Sequence, residues 1–206
     1  MSTLATSNLN LSSRRHRPVT VMARVLLLIL FCCASMPCCA VSEEEIPLDL
    51  QLQIFLKIMT YNRTLSFDKL DSFAVTIAYN KAAGKQSLEE LSARIKDILG
   101  GKTILGRPIT LNIVAIGKAF KTSALNACHL LILHGELDEE KASLLAWANE
   151  RKVLSAAAMH DADVSDVVIL LRLEDQKPVI HFNLGLARKL GFDFHAQFLK
   201  HCIITK

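Results

Sequence analysis

Residue types able to do chemistry fall together at three places in this chain. Cys128-His129 sets a thiol beside an imidazole, the ingredients of a nucleophile and its base. His160-Asp161-Ala162-Asp163 gathers hard ligands of the kind a divalent cation takes. Gly101-Lys102-Thr103 has the ending of a phosphate-cradling loop. Spacing weighs against each. Cys128 and His129 open an apolar run that reads as a strand, where neighbouring side chains face opposite ways, and no third group orients the base. The phosphate loop needs glycine at position 96, where Lys96 stands, and the segment follows a helix where the motif would open one. The His160 to Asp163 run reads as a solvated acidic turn. His129 and His134 are an odd number of strand residues apart, and His195 and His201 fall off a common helical face. A Gly-x-Ser-x-Gly elbow does not occur. The expectation is a chain with no catalytic residues, no metal and no cofactor.

The elements that would carry these residues alternate. Leu48, Leu52, Phe55, Leu56 and Met59 share a helical face behind Pro47; the alternation of Leu48, Leu50, Leu52 and Ile54 also fits a strand, and length favours helix. Phe73 to Tyr79 is rich in β-branched and aromatic residues and reads as a strand. Ser87 and Glu90 form a capping box ahead of the stripe Leu88, Leu91, Ile95, Ile98 and Leu99, which Gly100-Gly101 ends. Leu111 to Ile116, His129 to Leu133 and Lys152 to Ala156 read as strands, and Asp138 starts a helix through Trp147, which reads as a packing residue. Val167 to Leu173 and Pro178 to Phe182 flank the polar loop Glu174 to Lys177 as an antiparallel hairpin. Asn183 caps a short helix from Leu184 to Leu190, with Arg188 solvated near its end and Gly191 beyond. A last helix holds Ala196, Leu199, Cys202 and Ile203. The pattern predicts one compact α/β domain: a mostly parallel sheet with flanking helices, a C-terminal antiparallel hairpin and two short helices after it.

Charge divides the 206 residues unevenly. Arg14, Arg15, Arg17 and Arg24 have no acidic residue among the first 40, so the net +4 of the chain belongs to that segment and the rest is neutral. A basic start, the apolar run Val25 to Phe31 and the small residues up to Ala40 make a cleaved export signal over 1–40, cut between Ala40 and Val41. Met22 is an alternative start. The apolar run ends at Pro37 after about a dozen residues, short of the ~20 needed to span a bilayer. Residues 41–206 then form the domain, about 165 residues, enough for a sizeable core. With no basic surplus, nucleic acid is not a partner and any membrane contact is peripheral. Cys128 and Cys202 are the cysteines left after cleavage, in a compartment that permits a disulfide between them, but Cys128 opens an apolar strand, where small buried thiols are common.

Four segments together resemble the YfiR-like family of exported bacterial proteins: Phe55 to Leu65 (FLKIMTYNRTL), Gly101 to Ile109 (GKTILGRPI), Cys128 to Leu133 (CHLLIL) and Val179 to Gly191 (VIHFNLGLARKLG). The likeness spans roughly residues 50–203. It departs from the family where Asn62 replaces a frequent acidic residue and Val164-Ser165-Asp166 replaces glycines. The resemblance implies a periplasmic, non-enzymatic α/β domain that binds and restrains an inner-membrane sensor or diguanylate cyclase. Tyr61, Asn62 and Arg63, after the first helix, are the candidate partner contacts. A homodimer is left open. The alternative is a periplasmic module that binds a small ligand for uptake or sensing, using the crevice beyond the strand ends of an α/β sheet.

Overall fold

The computed structural model describes residues 45–80, 88–116, 125, 127–135, 139–158 and 163–205. The chain divides into the units Met1–Glu43 and Glu44–Lys206, and the second contains every element described here.

Helix α1 (Leu48–Met59) forms because Leu48, Leu52, Phe55 and Met59 recur at helical spacing, and all four are buried. Pro47 stands at its N-cap, where a missing N–H removes no helical bond. A 3-10 turn (Phe67–Lys69) leads into strand β1 (Phe73–Asn80). Helix α2 (Leu88–Leu99) follows, buries Leu91, Ile95 and Leu99, and leaves through Gly101 at φ 68°. The Gly101-Lys102-Thr103 segment is therefore a helix exit into the short strand β2 (Thr103–Ile104), which pairs with β3 (Arg107–Ile116). Next come β4 (Leu130–His134), helix α3 (Glu139–Glu150), β5 (Leu154–Ala157), β6 (Ile169–Glu174) and β7 (Lys177–Asn183). Helix α4 (Leu184–Leu190), helix α5 (Ala196–Leu199) and strand β8 (Cys202–Thr205) close the chain.

The strands make one eight-stranded sheet in the order β2-β3-β1-β4-β5-β6-β7-β8. Strands β3, β1, β4, β5 and β6 run parallel, β7 is antiparallel to β6, and β8 is parallel to β7. The chain leaves β1 outward to β3 and returns past β1 to β4, which is the 2-1-3-4-5 order of a doubly wound sheet with its switch point between β1 and β4. Right-handed crossovers winding in opposite directions put α2 and α3 on opposite faces. One core accordingly joins Leu52, Phe55, Ile77, Ile95, Ile132 and Phe182, with α1 and α2 over it, and the other joins Leu131, Leu133, Leu144, Trp147 and Leu170, under α3. Trp147 is buried there with the Arg151 guanidinium 5.7 Å from its ring centroid.

Two expectations need correcting. The hairpin between β6 and β7 turns through Asp175 and Gln176 alone, both at positive φ (49° and 62°), because Glu174 and Lys177 pair across the ladder. Two left-handed residues give a turn whose twist matches that of its strands, so the loop is two residues long, not four. The final helix stops at Leu199, and Cys202 and Ile203 belong to strand β8. The β-branched run Ile203-Ile204-Thr205 finds the open edge of β7, and ladder bonds there outweigh a further helical turn.

Candidate functional site

The segment leaving α1 does not hang free. Asn62 is buried, its side-chain oxygen accepts from Thr64 N–H at 2.9 Å, and its backbone bridges to Phe194 in antiparallel fashion. Arg63 N–H donates to Asp193 O at 2.8 Å and His195 N–H to Tyr61 O at 3.0 Å. The Thr64 hydroxyl accepts from Asp193 N–H at 2.7 Å and lies 3.2 Å from Gly191 O, to which it donates. These bonds fasten the exit of α1 to the connection between α4 and α5. Beneath them the Tyr61 ring stacks on Phe198 at 5.8 Å, and Phe182 meets Phe194 and Phe198 edge-on at 5.0 and 5.5 Å. Such pairs are worth about 0.5–1.5 kcal/mol each beyond their area burial.

Of the three expected contact residues, Asn62 is therefore interior, Tyr61 is half-buried with Lys57 Nζ 5.7 Å from its ring centroid, and Arg63 reaches solvent. Arg63 Nη1 lies 3.4 Å from Asp193 Oδ2, with the two side chains 58% and 63% exposed. At that exposure the pair adds well under ~1 kcal/mol. It is an accessible point of mixed charge on a rigid backbone. Asp193, Thr64 and Phe194 were missed in the sequence because their partners lie far away along the chain.

Asn183 N-caps α4, its oxygen accepting from Leu186 N–H at 2.8 Å, while its Nδ2 donates to Val164 O at 3.1 Å. One side chain thus ties α4 to the approach to β6. Arg188 is exposed on α4, and Gly191 ends the helix at φ 85°. Glu90 lies in the first turn of α2; its expected capping partner Ser87, the cleavage residues Ala40 and Val41, and the metal candidates His160 and Asp161 lie outside the described residues. Asp163 is exposed and accepts from Ser165 N–H at 2.9 Å, a bond that holds its carboxyl below the usual range. Among the described residues, no three His, Cys, Asp or Glu side chains lie where they could share a metal ion.

Among the described residues, Cys128 and Cys202 are both free thiols. Cys128 precedes β4 and Cys202 lies on β8, four strands away, which at ~4.8 Å per strand is far beyond disulfide reach. The suggested Cys128–Cys202 bond is not formed. Burial pushes both thiols up, Cys202 to about 12, which favours the thiol over the nucleophilic thiolate.

Two polar pairings were not foreseen. His181 Nε2 and Glu174 Oε1 lie 2.7 Å apart on the hairpin, brought together by its tight turn. At the C-terminal ends of the parallel strands, Tyr79 and His134 are register partners on β1 and β4, beside the switch point. Burial, then the charge of Glu89, raises the Tyr79 hydroxyl; burial lowers His134, opposed by Glu45 and aided by Arg94. No helix among the described residues is long and apolar enough to cross a membrane.

The model of the YfiR/HmsC-like family matches residues 51–201, from the first turn of α1 to beyond the end of α5. No curated protein matches the chain.

Proposed function

The chain belongs to the YfiR/HmsC-like family, and on that premise we propose that it is an exported, non-enzymatic regulator that binds an inner-membrane diguanylate cyclase and holds it inactive. The family match over residues 51–201 is the observation that carries this reading. The protein acts in the periplasm after cleavage between Ala40 and Val41. Its docking point is the fastened loop after α1, where Arg63 and Asp193 stand exposed on backbone held by reciprocal hydrogen bonds. A loop already ordered loses little further entropy on docking, so a small charged surface suffices. Tyr61 and Asn62 serve by holding Arg63 in place. Control of c-di-GMP synthesis follows, because a ligand of the cyclase's inactive state draws the population toward that state.

Deleting the gene should raise cellular c-di-GMP and surface attachment, and crosslinking in cells should recover a membrane signalling protein with this chain. Unchanged c-di-GMP under conditions of expression would overturn the proposal. The second reading, a small-ligand module, is favoured by Tyr79 and His134 at the sheet's switch point, where such sheets take their ligands.

A further inference from the structure

The β1–β4 ladder begins at Val75 and Leu130, so no β4 strand carbonyl is opposite the amide of Ala74. His129 fills the place. Its backbone N–H donates to Ala74 O at 2.9 Å, and its ring Nδ1 accepts from Ala74 N–H at 2.9 Å. An imidazole that accepts at Nδ1 must carry its proton on Nε2 and be neutral. The same ring lies flat on Phe73, with centroids 5.4 Å apart and planes 17° apart, and Phe73 stacks in turn on Phe67 at 5.6 Å. Phe67 belongs to the 3-10 turn joining the loop after α1 to β1. One ring therefore closes the lower end of two central strands and the turn beneath them.

We propose that His129 is a proton-operated clasp. Neutral, it holds the start of β1 and the 3-10 turn in place; protonated, it sets one N–H against another and releases them. The proton comes from solvent to Nδ1, and the bond broken is the one to Ala74 N–H. Charged groups on the elements packed here are Asp68 and Lys69 on the 3-10 turn, Asp71 before β1 and Arg107 at the start of β3, whose Nη2 donates to Asp68 O at 2.7 Å. Burial shifts the ring's titration downward, the direction in which the accepted Ala74 N–H also acts. The neighbouring Cys128 thiol is raised by burial and stays uncharged over the same range. A protein exported from the cytoplasm meets the pH of its surroundings, and this clasp converts that pH into the looseness of the turn that begins four residues after Arg63. The clasp itself does not depend on the partner proposed above.

Amide hydrogen exchange on the purified protein, read residue by residue from pH 7.5 to 4.5, tests it. Protection of Ala74 and of the 3-10 turn should fall by up to about tenfold per pH unit below the unfolded histidine value near 6.5, while the α3 face keeps its protection. His129→Asn supplies an oxygen acceptor near the Nδ1 position without a titrating group, so it should keep Ala74 protected at neutral pH and abolish the acid opening. His129→Ala should expose Ala74 at every pH. Protection that persists through the titration, or an acid opening that survives in His129→Asn, would overturn the clasp.

Discussion

Asn183 does three jobs with one amide group: its oxygen caps α4, and its nitrogen reaches Val164 O and, at 3.4 Å, Ser165 O. Asn183→Ala should lower stability by about 2 kcal/mol in urea denaturation, the loss of a cap plus that of a partly buried donor. Asn183→Asp keeps the cap and still loses about 1 kcal/mol, since it aims a carboxylate at two carbonyls; full stability in that variant would show that only the cap matters. The cap was legible because asparagine stood before an apolar run with glycine past its end. Thr64 was not, since Asp193, whose N–H it accepts, lies 129 positions away. His134 gives a pH dependence of definite sign. Burial lowers its titration below the unfolded value of 6.5, so its contribution is complete above 6.5 and is lost as pH falls toward the folded value. The urea midpoint should therefore drop on going from pH 7 to pH 5, and His134→Gln should shrink that drop.

Among the elements, the two hairpins depend on left-handed residues that their sequences do not advertise. Between β2 and β3 the turn is Leu105-Gly106 at φ 48° and 79°, with Leu105 59% exposed. A leucine there carries the cost of a left-handed backbone and gains little from burial. Leu105→Asn should stabilise the protein by about 1 kcal/mol, because asparagine tolerates that conformation in a two-residue turn; a loss of stability would mean that Leu105 makes a contact its exposure hides. No Asn-Gly or Asp-Gly marked either turn, which is why β2 went unseen and the second loop was read as four residues. Strand β8 escaped for another reason. Ala196, Leu199, Cys202 and Ile203 have spacing a helix can use, and local periodicity does not report that an open strand edge waits beside them. Helix α2, with its long stripe of i, i+3 and i+4 leucines and isoleucines, left no such ambiguity, and in α1 length decided against an alternation that also fits a strand.

At the scale of the molecule, alternating strands and helices announced a parallel α/β sheet, but nothing in the sequence ordered the strands. That order follows from the handedness of two crossovers and from the way β7 doubles back and leaves its outer edge for β8. The edge shapes the last prediction. Strand β8 pairs four residues, Cys202 to Thr205, with Ile180 to Asn183 of β7, and its Ile203 and Ile204 remain 47% and 37% exposed. Its worth thus lies more in closing the β7 edge than in the apolar area it buries. Removing residues 202–206 should uncover the backbone of β7 along Ile180 to Asn183 and lower the melting temperature by about 5–10 °C, which corresponds to losing ~2–3 kcal/mol in a domain of this size. The same truncation should make the protein associate, because an unpaired edge beside apolar Ile180 and Phe182 recruits another strand. Ile203→Lys keeps the ladder and adds a charge to the edge, so it should change stability by less than about 1 kcal/mol and leave the chain no more prone to associate. If the truncated chain melts where the full chain does and sediments unchanged, β8 does not protect the edge; if Ile203→Lys proves as damaging as the truncation, the isoleucine side chains and not the backbone pairing hold that side of the sheet.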